Sequence, residues 1–123
     1  MRASWIVSFV LTAGVAYEQS TVAKPDSLFI VTYTLGPSWD AALPPGSQPH
    51  FKEHSASLGA WRKEGLIRFG ARYADKGIIV IAAPTMLALR TRIEGDPAVA
   101  SGVFRADIQP LQPFYEGCVE KPK

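Results

Sequence analysis

Glu94-Gly95-Asp96-Pro97-Ala98-Val99-Ala100-Ser101-Gly102-Val103-Phe104 is the stretch that decides the fold of this chain. An aspartate and a proline open one short turn of small residues, and a glycine closes it ahead of a strand. Asp96 caps a helix start by accepting backbone N–H bonds. Pro97 suits the first helical position, where its missing N–H is not needed. Gly102 takes the left-handed conformation that ends the turn. The punctuation therefore predicts a helix ending at Glu94, a capped turn, and a last strand from Val103 to about Gln109.

Working back from that stretch, Pro84 to Glu94 reads as a helix with Met86, Leu89 and Ile93 on one face. Before it lie two runs that read as a hairpin. Leu66 to Tyr73 carries Ile67, Phe69, Ala71 and Tyr73 at alternate positions, and Ile78 to Ala82 is almost wholly apolar. Ala74-Asp75-Lys76-Gly77 turns between them. From His50 to Glu64 the period changes to that of a helix, stopped by Gly65; Phe51, His54, Leu58 and Trp61 share its apolar stripe. The first strand, Leu28 to Leu35, is rich in β-branched and aromatic residues. A loop from Gly36 to Pro49 follows, broken by Pro37, Pro44, Pro45 and Pro49. Loops of that length in a small domain are usually functional or mobile.

The order β-α-β-β-α-β predicts an α+β fold, a ferredoxin-like sandwich with two helices on one face of an antiparallel four-stranded sheet. Ile67/Phe69 and Phe104/Ala106 are expected on strand faces that need cover, which a homodimer supplies.

With 123 residues, 47% hydrophobic and 20% charged, the chain builds one domain with a modest core. A formal charge of +2, with both signs interspersed, excludes the basic field that nucleic acid demands. The single cysteine, Cys118, excludes an internal disulfide and a zinc ribbon, and reads as a thiol on the tail. Arg2, the apolar run from Trp5 to Ala16 and the small Gly14-Val15-Ala16 exit form a signal-peptide pattern. The run is short of the roughly 20 apolar residues of a spanning helix. Residues 1–23 are thus expected to be a leader, cleaved after Ala16 or Ala23. That places the mature protein in the periplasm or outside the cell, with no membrane attachment after cleavage. A leader that is not a signal peptide leaves it cytoplasmic.

The helix exit Lys63-Glu64-Gly65 and, above all, the stretch Gly95 to Phe104 resemble the YCII-related domain. The resemblance covers Ser27 to Phe114, leaving 115–123 as a tail. It implies a dimeric α/β barrel of two sheets packed face to face. It also implies an active-site pair of a first-helix histidine and the aspartate of the Asp-Pro pair, here His54 and Asp96. Where that family commonly has Gly-Pro at the end of its second strand, this chain has Gly70-Ala71 followed by Arg72. At least one member is a dehydrochlorinase acting on a ring compound.

Chain direction alone brings the same pair together. If the first strand runs up, His54 begins the descending helix and Asp96 follows the ascending one, so both lie at the top. The long loop and the Tyr73–Gly77 hairpin end there too. A carboxylate on one imidazole nitrogen fixes the tautomer and makes the other the base. Trp39, Arg72 and Tyr73 are expected to bind substrate, Trp39 and Tyr73 as aromatic walls and Arg72 as an anchor for a carboxylate. Trp61 is expected in the core. The stretch His50-Phe51-Lys52-Glu53-His54 also spells H-x-x-E-H, but peptidases with that motif are far larger and need a distal glutamate ligand. The sequence therefore calls for no metal and no cofactor. Two functions fit: a lyase or isomerase acting on a small molecule through His54 and Asp96, or a binding or structural module in which the same residues only cap and pack.

Overall fold

A computed structural model describes Gly14 and residues 26–123. Apart from Gly14, the leader with its two cleavage points lies outside the described residues. The elements run β1 (Ser27–Leu35), α1 (Phe51–Lys63), β2 (Ile67–Tyr73), β3 (Lys76–Ala83), α2 (Met86–Glu94), α3 (Pro97–Ala100) and β4 (Phe104–Pro110). A single 3-10 turn, Pro45–Ser47, interrupts the long loop. The four strands form one antiparallel sheet in the order β2-β3-β1-β4, an α+β fold.

β1 is central, and its alternation sets the layers. Phe29, Val31 and Tyr33 face the helices and are buried. Their neighbours across the sheet, Ile81 and Ile79 on β3 and Ile108 and Ala106 on β4, continue the same face. Trp61, Leu89 and Ile93 close this layer from the helix side. Arg92 lies over the Trp61 ring, 5.6 Å from its centroid, so Trp61 belongs to the core as expected.

α2 begins at Met86 rather than Pro84, capped by Thr85, which accepts the Ala88 N–H at 3.1 Å. Gly65 ends α1 and Gly102 ends α3 at φ +81° and +80°, conformations that cost glycine nothing. Cys118 is exposed on the tail.

Two face assignments change. An irregularity between Ile67 and Phe69 breaks the alternation of β2. Ile67 therefore pairs with Ile81 on the helix side, while Phe69, Ala71 and Tyr73 turn to the open face. Phe104 and Ala106 also lie on the helix side, opposite Leu35 and Tyr33. The open face is nevertheless apolar: Leu28, Ile30, Phe69, Ile78 and Val80 are half-buried along it. No helix among the described residues is long and apolar enough to cross a membrane.

Candidate functional site

Asp96 sits where α2 stops and α3 begins, and its carboxylate does two jobs. Oδ1 accepts the Ala98 N–H at 3.1 Å, which caps α3. Oδ2 pairs with Nδ1 of His54 in the first turn of α1, 42 residues away in sequence. Both residues are buried, His54 to 6% exposure and Asp96 to 2%. A carboxylate only accepts, so in the neutral imidazole the pairing puts the proton on Nδ1 and leaves the lone pair on Nε2. The cap holds the carboxylate in place, and the carboxylate in turn holds the ring.

Aromatic rings fix the imidazole from the sides. Tyr33 meets it edge-on with centroids 5.0 Å apart, and Phe104 lies at 4.9 Å. Phe51, one turn earlier on α1, stands 6.5 Å from both His54 and Phe104. Trp39 packs on Phe104 at 5.6 Å. The long loop brings Trp39 there because buried Gln48 ties it internally. Gln48 Oε1 accepts the Asp40 N–H at 2.9 Å, and Nε2 donates to the carbonyls of Asp40 and Leu43 at 2.6 and 3.0 Å. Four prolines and one buried amide thus replace regular structure in positioning this aromatic side chain.

These side chains border a cleft of about 540 Å³ between α1, the loop and the β2–β3 hairpin. His54, Trp39 and Arg72 line it, as do Tyr33, Phe51 and Phe104. The sheet makes room for it through glycine. Across one rung the register reads Arg72, Gly77, Tyr33 and Ala106, and a Cβ on Gly77 would meet no atom within 4 Å. Tyr73 stands apart from the lining. It is 54% exposed and paired with Lys76, whose Nζ lies 5.9 Å from its ring centroid. His50 is likewise away from the pair, exposed at the N-cap of α1 with Nδ1 3.9 Å from Glu53. Among the described residues, no group of three His, Cys, Asp or Glu side chains is placed to hold a metal.

Tyr33, Phe104 and Gly77 belong to the site and were not singled out from the sequence. Tyr33 carries the one legible signal, a hydroxyl at the top of the core-facing row Phe29, Val31, Tyr33. Burial first, and the charge of Asp96 second, push its phenol well above the ordinary value near 10. The sign of the linked stability follows. Below pH 10 the group is protonated in both folded and unfolded chains and adds no pH dependence. Above about pH 10 only the unfolded chain ionises, so stability falls by about 1.4 kcal/mol per pH unit from this group. Urea unfolding between pH 9 and about pH 11 measures it. The Tyr33→Phe variant should lack that alkaline limb; a variant that falls as steeply as the parent rules Tyr33 out as its source.

The chain matches no family model and no curated protein.

Proposed function

We propose that this chain is an acid–base catalyst of small organic molecules, a lyase or isomerase with His54 as the base and Asp96 as its orienting partner. The observation that carries this reading is the buried His54–Asp96 bond at the wall of an apolar, aromatic-lined cleft. Nδ1 is committed to Asp96, which leaves Nε2 to take a proton from a carbon next to a carbonyl. The C–H electron pair moves into the enolate. In an isomerase a neighbouring atom of the enolate then takes the proton back. In a lyase the enolate expels a leaving group from the β-carbon, which departs with the electron pair while the proton passes to it or to water.

The wider reading is a YCII-like domain with ferredoxin-like topology, exported and dimeric. The sheet order β2-β3-β1-β4 and the resemblance over Ser27 to Phe114 support the topology. The half-buried apolar side chains of the open face support a second copy packed against it. Light scattering on the chain is expected to give twice the monomer mass. A monomer at micromolar concentration removes the barrel from the proposal.

The second reading, a binding module without chemistry, is favoured by one observation. Asp96 is already used as the cap of α3, which explains its position without catalysis. Proton exchange separates the two. 2-Tetralone, a flat ring ketone, incorporates deuterium next to its carbonyl in D2O when a base removes those protons. The chain is expected to accelerate this, and His54→Ala to lose about 100-fold or more of the acceleration. Equal rates with the parent chain and with His54→Ala leave the binding module standing.

A further inference from the structure

We propose that the Tyr33 hydroxyl is the hydrogen-bond donor of the cleft, and that it selects ligands carrying an acceptor oxygen, a ketone or enol oxygen on a flat apolar ring. The inference rests on the small-molecule cleft proposed above, but not on His54 acting as a base.

Tyr33 is 5% exposed and lines the cleft, yet its hydroxyl has no hydrogen-bond partner among the described residues. Buried hydroxyls nearly always have partners, and one left without is unfavourable. The ring has no room to turn elsewhere. β1 is flanked on both sides by paired strands, and the steeply inclined rings of His54 and Phe104 stand 5.0 and 6.3 Å from it. The hydroxyl is therefore satisfied by what enters the cleft. Gly77 pairs with Tyr33 on the sheet, and a Cβ there would meet no atom within 4 Å, so this rung of the cleft is open. The phenol stays protonated well past neutral pH, so it keeps a proton to donate to a ligand's acceptor oxygen. The surrounding walls are aromatic faces and edges, which suit a flat apolar body.

The test is binding, read from the backbone amide resonances of the cleft, with 2-tetralone and with tetralin, the same bicycle without the oxygen. One net hydrogen bond predicts that the parent chain prefers 2-tetralone by about tenfold. Tyr33→Phe is expected to drop 2-tetralone to the tetralin level while leaving tetralin unchanged and folding stability equal or higher. Gly77→Val, whose Cβ would meet no atom within 4 Å, places a branched side chain in the cleft and is expected to lose both compounds. The preference is read from binding alone, without turnover, so this result stands or falls separately from proton exchange. Equal affinities in the parent chain, no binding of either compound, or a preference that survives Tyr33→Phe overturns the proposal. So does a Tyr33→Phe chain less stable than its parent, since the hydroxyl would then have a partner inside the protein.

Discussion

Asp96→Ala is expected to cost about 3 kcal/mol of folding stability, and Asp96→Asn only about 1 kcal/mol while still losing the chemistry. The alanine variant removes two things at once. The cap on the Ala98 N–H contributes about 1 kcal/mol. The His54 Nδ1–H, buried with its partner gone, adds about 2 kcal/mol for an unsatisfied donor. Asparagine keeps one oxygen and exchanges the other for an NH2. If the oxygen stays on the cap, the NH2 faces His54 and donates to Nδ1. That forces the opposite tautomer, with the proton on Nε2, and the nitrogen left for the cleft can no longer accept one. Nitrogen-15 NMR of the two histidines reads the tautomer directly, with exposed His50 as the internal reference. Exchange into 2-tetralone should fall about 100-fold in the asparagine variant. An unchanged tautomer together with an unchanged exchange rate would remove Asp96 from the mechanism and leave it as a cap.

The pairing of His54 with Asp96 is readable in the sequence because caps and stops fix chain direction. Pro49 and Gly65 bound α1, while Asp96-Pro97 and Gly102 bound α3. Once the strand order alternates, both residues are forced to one end. What escapes the sequence is of a different kind. The break between Ile67 and Phe69 is a backbone event, and a period-two reading puts both residues on one face when the structure separates them. Phe104 and Ala106 alternate as any half-buried strand does, and alternation gives a phase but not which phase faces the helices. The cleft itself is made by what is absent, a side chain at Gly77, and a missing side chain leaves no pattern in composition. Tyr33 was hidden by its neighbours: in the row Phe29, Val31, Tyr33 it reads as one more core residue. Arg72 and Tyr73 are adjacent in sequence, so the pleat sends them to opposite faces, and only Arg72 reaches the cleft.

Gly36→Ala is expected to be as damaging as the loss of Asp96, for a reason that lies wholly in the backbone. A Cβ on Gly36 would stand 2.0 Å from the Gly102 carbonyl oxygen and 2.8 Å from its carbon. Both are main-chain atoms, so no side chain can swing aside. Here the exit of β1 and the entry to β4 are joined by Gly36 N–H to Val103 O and Ser38 N–H to Gly102 O, each at 2.9 Å. Relief requires the two segments to part by about 1 Å, which breaks those bonds and costs about 3 kcal/mol. The same displacement moves Trp39, three residues past Gly36, and Phe104, two past Gly102, so the cleft opens as the fold weakens. Gly102→Ala should cost less, about 1–2 kcal/mol, because its penalty is the left-handed conformation and its nearest obstacle is the Ser38 side chain at 3.1 Å. Gly59→Ala supplies the opposite sign. Gly59 lies exposed in the middle of α1 with no atom near its Cβ position, so alanine there should stabilise by about 0.5–1 kcal/mol. Urea midpoints of the three variants should rank Gly59→Ala above the parent, then Gly102→Ala, then Gly36→Ala. A Gly36→Ala chain as stable as its parent would mean that β1 and β4 do not meet at the Gly36–Gly102 contact, and the support beneath Trp39 and Phe104 would have to be sought elsewhere.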